Sequence, residues 1–415
     1  MLLNGRVRKT IFWVHLVAGI TTGLVVVMMS ATGVILTYQR QMIAWADRVS
    51  FPEPESGDNR LSISDLQTVI ARDQFQPVSL TIFSDPSAPI TASAGRQRSI
   101  YINPYTGEYL GEPKQSLRGF FGTVTQWHRS FDVSADRRTV ALAVTGFSNL
   151  VLLFLLFTGM YLWLPGILKW PLFRARLLFQ KGNSSSRQRD FNWHHVFGIW
   201  SAVPLIVVVA TGVIISYPWA MDLLYRSVGD TLPTRGAGPA GRTGIMMTAR
   251  RARMGAAGPE GMGPAGGREG QGPAPRRSDT VTLNAGDQLS LDALFDHAAE
   301  QVADWGSITV QLPREQATSV NFTIDHGNNG LPLDLQTLVL NSRTGDVERS
   351  QTFTDQTSGV QARGWIRFLH TGEALGLVGQ AVAGIVSLAS LIMVWTGFAL
   401  AYRRLIQPLF RKVSA

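Results

Sequence analysis

One apolar stretch of sequence occurs twice in the chain, and this repetition constrains the fold more than any other feature. Residues 12–38 align with residues 191–217 without a gap, at a constant offset of 179 positions (191 − 12). The matching positions are His15 with His194, Gly19 with Gly198, and ATGVI at 31–35 with ATGVI at 210–214. In each copy a histidine precedes a glycine by four residues, which places both on one face of a helix.

Four stretches carry nearly all of the hydrophobicity: residues 11–38, 139–164, 191–217 and 375–402. None of them contains Asp, Glu, Lys or Arg. Each is longer than the roughly 20 residues that a helix needs to cross a bilayer. The sequence therefore predicts an α-helical membrane protein with four spans. Because the first apolar run is too long for a signal peptide and no small-residue cleavage site follows, we expect a retained anchor.

Basic residues near the span ends predict the orientation. Lysine and arginine cluster in residues 1–10, 165–190 and 403–415. Because such residues favour the cytoplasmic side, we expect both termini and the loop at 165–190 to be cytoplasmic. The two long segments, residues 39–138 and 218–374, would then lie outside.

The formal net charge of +9 does not indicate a nucleic-acid partner. Much of the excess lies in the cytoplasmic flanks, where it sets topology, and in an insert at residues 235–277 that holds eight Arg against two Glu. The insert is rich in Gly and Pro and cannot bury a hydrophobic core, so we expect it to be disordered. Membrane lipid is the expected environment, and nucleic acid is not an expected partner.

The two external segments repeat a second pattern. Each predicts one helix, at residues 61–71 or 289–302, then short strands, then the turn NPYTGE at 103–108 or NSRTGD at 341–346. The predicted strands are residues 78–83, 90–94, 99–102, 307–312, 319–324 and 338–340. The sequence therefore predicts a tandem duplication: a four-span bundle with two small α+β modules outside the membrane.

Topology sorts four histidines into two depths. His15 and His194 lie near the cytoplasmic ends of spans one and three, whereas His128 and His370 lie outside, ahead of spans two and four. Two imidazoles facing each other across a bundle can be the axial ligands of one haem iron. The chain has no Cys, so covalent attachment is excluded and two b-type haems are expected. We expect His128 on a helix that extends span two past the bilayer surface, with a partly exposed outer site.

Gly19 and Gly198, one turn after the inner pair of histidines, would leave room for a porphyrin face. A Thr-Gly pair also recurs late in spans two and four, as Thr158-Gly159 and as TG at 396–397. A single intramembrane histidine is often only a helix contact, but four that are duplicated in register favour ligation.

The other three histidines have weaker signals. His195 has no counterpart in the first repeat, where Leu16 stands, and we expect it to support another residue or contact lipid headgroups. His297 and His326 are expected to be surface residues. The sequence assigns no catalytic residue.

These motifs resemble the PepSY-associated transmembrane family, which includes iron-regulated inner-membrane proteins and ferrisiderophore reductases of Gram-negative bacteria. The resemblance rests on His-x-x-x-Gly in spans one and three, on WHRS and LHTG ahead of spans two and four, and on the two turns; only the insert falls outside it. It implies a bacterial inner-membrane protein with PepSY-like periplasmic modules and two haems. The implied ligands are His15, His194, His128 and His370.

The resemblance also implies a function: electrons cross the membrane and reduce a periplasmic ferric siderophore or another ferric chelate, which weakens iron binding by hard oxygen donors. No nucleotide-binding glycine motif is present, so a separate cytoplasmic reductase or quinol would be the electron donor. Two alternatives remain open. One is a membrane-anchored PepSY binding or regulatory protein without redox activity, and the other is a transporter component, although the spans contain no carboxylate for a substrate site.

Overall fold

The computed structural model describes residues 5–49, 59–72, 75–94, 98–113, 115–164, 170–180, 185–233, 288–302, 304–313, 317–327 and 331–413. The predicted insert at 235–277 lies outside the described residues. The chain forms two compact units. The first, the bundle unit, contains residues 1–39, 121–232 and 358–415, and the second, the sheet unit, contains residues 40–120 and 233–357.

Four long helices form the bundle unit: α1 (Gly5–Leu36), α5 (Arg138–Trp163), α7 (Ser186–Ser216) and α11 (Gly376–Leu405). All four are long and apolar enough to cross a membrane. The neighbouring pairs are α1–α5, α5–α7, α7–α11 and α11–α1, so the helices close into a ring with α1 and α7 on one diagonal. A candidate membrane-spanning helix thus occurs at each of the four predicted spans.

Large apolar side chains cover the outside of this ring. Leu24 is 76% exposed, Trp200 68% and Val378 73%. Soluble proteins rarely expose continuous apolar surface of this kind, whereas lipid accommodates it without cost. The bundle unit is therefore that of a membrane protein.

Small and polar residues join the long helices inside the ring. Gly23 of α1 lies so close to the ring of Phe398 that a Cβ there would be 2.5 Å from it. Ser30 donates a hydrogen bond of 3.0 Å to Ser390, and the Asn149 amide donates one of 3.2 Å to the Val209 carbonyl. Such close contacts and interhelical hydrogen bonds hold helices together where the hydrophobic effect between them is weak.

Shorter helices complete the bundle unit, and two of them carry histidines. These helices are α4 (Gln115–Ser130), which begins in the sheet unit, α6 (Trp170–Leu177), α8 (Pro218–Ser227), α10 (Ser358–Thr371) and α12 (Gln407–Val413). His128 lies on α4, which ends before Phe131 and Asp132. Both of these residues have left-handed backbone, with φ values of 56° and 53°. The prediction that His128 extends span two was wrong, because this reversal separates α4 from α5.

The sheet unit contains one antiparallel sheet of eight strands in the order β4-β3-β2-β1-β5-β6-β7-β8. The strands are β1 (Ser79–Phe83), β2 (Ile90–Ala94), β3 (Arg98–Ile102), β4 (Tyr109–Gly111), β5 (Ser307–Gln311), β6 (Ser319–Asp325), β7 (Leu335–Asn341) and β8 (Val347–Thr352). Its helices are α2 (Gln39–Arg48), α3 (Ile63–Arg72) and α9 (Leu291–Glu300). Sequence periodicity predicted both α3 and α9 but missed the edge strands β4 and β8.

The two halves of the sheet meet at β1 and β5. Thr81 lies opposite Thr309 at the centre of this pair, and their hydroxyls are 2.9 Å apart. Leu80 and Ile308 are fully buried in one hydrophobic cluster that also includes Leu66 of α3 and residues of α9. The sequence prediction of two α+β modules did not anticipate that they would share one sheet and one core.

Candidate functional site

His128 and His370 face each other within the bundle unit. Their ring centroids are 6.3 Å apart and the ring planes differ by 64°. With a metal–nitrogen bond of about 2 Å and roughly 1.1 Å more from the nitrogen to the ring centre, two imidazoles on opposite sides of one metal have centroids about 6 Å apart. The outer pair therefore has the spacing that a shared metal requires.

Each of the four predicted ligands contacts one threonine through its Nδ1 atom. The distances from Nδ1 to the threonine Oγ1 are 2.9 Å for His15 with Thr158, 2.8 Å for His128 with Thr32, 3.1 Å for His194 with Thr396 and 3.3 Å for His370 with Thr211. In every case the histidine and the threonine lie on different helices. One local arrangement thus occurs four times.

These threonines, together with two backbone carbonyls, determine which imidazole nitrogen carries the proton. The carbonyls are those of Val208, 2.8 Å from Nδ1 of His370, and of Met393, 3.1 Å from Nδ1 of His194. Thr158 donates its hydroxyl proton to the Phe154 carbonyl at 2.9 Å, and the other three threonines donate to backbone carbonyls in the same way. Because a hydroxyl has one proton, its oxygen is left as the acceptor for the imidazole. Nδ1 of the histidine must then be the donor, which leaves the Nε2 lone pair free to bind a metal.

A glycine follows each of these threonines, and each lies against the same imidazole. A Cβ added to the glycine would be 3.4 Å from His15 at Gly159, 3.7 Å from His128 at Gly33, 3.6 Å from His194 at Gly397 and 3.1 Å from His370 at Gly212. The Thr-Gly dipeptide therefore supplies both a hydrogen-bond acceptor and a flat backbone surface.

The inner pair of histidines lies on the diagonal helices α1 and α7. No atom lies within 4 Å of a Cβ added at Gly19, and at Gly198 the nearest is the Met393 sulfur at 3.6 Å. A side chain at Gly19 would thus meet open space, and one at Gly198 would meet a flexible thioether; the space for a porphyrin face stays a prediction.

The outer pair lies on helices outside the four candidate spans. Burial and the neighbouring His370 lower the pKa of His128 to about 4, and burial lowers the pKa of His370. Both imidazoles are then neutral near pH 7, which is the form that can bind a metal.

The remaining histidines take no part in the two pairs. His195 donates from Nδ1 to the Phe191 carbonyl of its own helix at 2.8 Å and stacks on the Phe191 ring. His297 and His326 are exposed in the sheet unit, as expected.

Sequence reasoning missed the role of the threonines. The ATGVI repeat contains Thr32 and Thr211, and the Thr-Gly pairs of spans two and four contain Thr158 and Thr396. The recurring dipeptide was the available signal. The role of each threonine depends on which histidine it contacts, and that follows only from the packing of the helices.

The model of the family described as PepSY-associated TM region matches residues 12–404. The chain belongs to the PepSY-associated TM family. The match begins before His15 and ends after Gly397, so it includes all four histidines and their Thr-Gly partners, and it confirms the resemblance inferred from the motifs. No curated protein matches the chain.

Proposed function

We propose that this PepSY-associated TM protein is a di-haem b electron-transfer protein of the bacterial inner membrane, which reduces a ferric siderophore or another ferric chelate in the periplasm. The observation that supports it best is the outer pair, with imidazole centroids 6.3 Å apart. His128 and His370 would hold one haem, and His15 and His194 the other.

The donor set fits a metal that brings other ligands with it. Within the part of the chain that the structure describes, no group of three or more His, Cys, Asp or Glu side chains could hold a metal ion. Each pair supplies only two imidazoles, whereas a porphyrin supplies four equatorial nitrogens. When bound, haem provides reversible one-electron chemistry at iron.

The chain's own residues would orient the imidazoles and leave space beside them for the haem. Threonine oxygens hold Nδ1–H of each imidazole, so Nε2 is oriented as a ligand before a metal arrives. The adjacent glycines leave bare backbone beside Cε1 of each imidazole. The apolar helices around the inner pair exclude water, and a low dielectric around a redox centre shifts its reduction potential.

The proposed reaction transfers one electron to chelated Fe(III) and yields Fe(II). Quinol or a separate cytoplasmic reductase supplies the electron at the other side of the membrane. The basic residues near positions 1–10, 165–190 and 403–415 support cytoplasmic termini. The sheet unit would then be periplasmic, and the repeated order of helix, strands, histidine helix and span in each half supports a tandem duplication.

Absorbance spectroscopy of detergent-purified protein from haem-replete cells tests this function. We expect a Soret band, about two haems per chain, and loss of one haem in His128→Ala or His370→Ala. Stopped-flow mixing of the anaerobically reduced protein with ferric chelates should then give oxidation of the protein together with release of Fe(II). A colourless preparation would favour the binding or regulatory alternative, and uptake of the chelate without reduction would favour the transporter.

A further inference from the structure

Two arginines lie beside the last turn of α5. Arg8 of α1 donates to the Leu162 carbonyl at 2.7 Å, and Arg176 of α6 donates to the Trp163 carbonyl. The two guanidinium groups donate to adjacent carbonyls of α5, so they lie close together. Burial and the neighbouring charge of Arg8 lower the pKa of Arg176.

Two buried donors at this position have no hydrogen-bond partner among the described residues: Nη1 of Arg8 and Nε1 of Trp163. A buried donor left without a partner destabilises the folded protein, and the cost is larger when the donor is charged. The carbonyls at the end of α5 account for one N–H of each arginine. These carbonyls accept from neither Nη1 of Arg8 nor Nε1 of Trp163. They also carry no full negative charge to balance the two guanidinium groups.

The stretches of sequence that carry Arg8, Trp163 and Arg176 contain no carboxylate side chain. The sequence has no Asp or Glu in residues 1–46 or 137–189. Asp190 is the first carboxylate after that gap, and it already accepts from Arg189 at 3.0 Å and from Arg403 at 2.6 Å. A buried charge requires a partner, and guanidinium groups pair best with carboxylate or phosphate.

We propose that Arg8, Arg176 and Trp163 form a binding site for a carboxylate or phosphate group, occupied by a carboxylate side chain of the cofactor that His15 and His194 would hold. This inference rests on the proposed function. Arg8 precedes His15 by seven residues, which is two turns on the same face of α1 and roughly 10 Å along the axis.

Trp163 supports the same placement. It lies one turn beyond Thr158 and Gly159, which contact the imidazole of His15. A haem has its two carboxylates on one edge, so a haem ligated by the inner pair needs cationic partners on one side only. Arg8 and Arg176 provide these cationic partners beside the N-terminal end of α1. An anionic lipid headgroup is the other source of the same chemistry.

Titration of the haem-free full-length protein with ferric haem, and separately with haem whose carboxylates are methyl esters, tests the proposal. The variants are Arg8→Gln and Arg176→Gln, and the matched control is Arg174→Gln, which is exposed on the same helix as Arg176. We expect the wild type to prefer haem over the diester by about tenfold or more at one of its sites, since a hydrogen bond to a charged group contributes about 1.5–3 kcal/mol. Both test variants should lose most of this preference, and the control should keep it.

Native mass spectrometry of the same haem-free proteins separates the two sources. Retained anionic phospholipid that is lost in both test variants, together with an unchanged preference for haem over the diester, would overturn the cofactor assignment. Equal behaviour of all three variants in both measurements would overturn the anion site itself. If the wild type bound neither haem nor its diester, the proposed function would fail, and lipid retention alone would decide the anion site.

Discussion

At the scale of single residues, the four histidines differ in how many acceptors their Nδ1–H groups have. Nδ1 of His194 has the Met393 carbonyl as a second acceptor at 3.1 Å, in addition to Thr396. Among the described hydrogen bonds, Nδ1 of His15 has one acceptor, the hydroxyl oxygen of Thr158. The two members of the inner pair therefore depend unequally on their threonines.

Under the proposed function, in which the inner pair holds a haem, Thr158→Val should weaken haem binding more than Thr396→Val. The valine leaves Nδ1 of His15 without its acceptor, whereas His194 keeps a backbone carbonyl. Loss of such an outer hydrogen bond lowers metal affinity by about 10–100-fold. Haem transfer to an excess of a haem-scavenging protein, followed by absorbance, measures the difference.

Thr158→Ser is the matched control, because it keeps the hydroxyl and should release haem at nearly the wild-type rate. The midpoint potential of the haem proposed for the inner pair should also shift in Thr158→Val, which a purely structural threonine would not cause. Equal release from the two valine variants would contradict the role assigned to Thr158.

At the scale of elements, α4 has a buried ion pair near its N-terminal end, ten residues before His128. Arg118 binds both carboxylate oxygens of Asp47, at 2.8 and 2.6 Å, and Tyr101 donates to the same carboxylate at 3.0 Å. The side chains of Arg118 and Asp47 are 6% and 14% exposed. Burial and the charge of Asp47 raise the pKa of Tyr101, so its phenol stays protonated. This triad connects α2, β3 and α4 within the sheet unit.

Arg118→Met should destabilise the sheet unit by about 3–5 kcal/mol, because it leaves a buried carboxylate without its cation. Hydrogen exchange of the β3 amides in the full-length protein measures this change. Arg98→Met is the control, since Arg98 is 64% exposed in its pair with Glu112 and should contribute less than about 1 kcal/mol. Similar protection in the two variants would show that the triad does not stabilise the unit.

At the scale of the whole molecule, the sheet unit joins two parts of the chain that are separated in sequence by two of the four spans. The pairing of β1 with β5 makes one sheet and one core from segments more than 200 residues apart. Such a core should unfold as one cooperative unit.

Leu80→Lys should therefore reduce hydrogen-exchange protection in both halves of the sheet, in β3 as well as in β7. Leu80 is fully buried, and an uncompensated charge in this core is among the most destabilising single changes. Val347→Lys on the exposed edge strand β8 is the control and should change stability by less than about 0.5 kcal/mol. If only β1 to β4 lost protection, the halves would be independent modules.

Much of the fold could be predicted because its signals are local. Runs of apolar residues without charge identified the four spans, and periodicity identified α3 and α9 and most of the inner strands. The edge strands β4 and β8 were missed because they are short or carry little apolar alternation. The break between α4 and α5 was missed because Phe131 and Asp132 adopt left-handed backbone without a glycine to indicate it.

The sequence by itself determined the four spans, the family, and which histidines and Thr-Gly pairs recur. The tertiary structure alone decided that His128 and His370 face each other, that each histidine meets a threonine from another helix, and that Arg8 and Arg176 lie together. The physical reason is range. Hydrophobicity and helix periodicity depend on neighbours along the chain, whereas a hydrogen bond or a pair of charges depends on distances that only the packing of separate helices fixes.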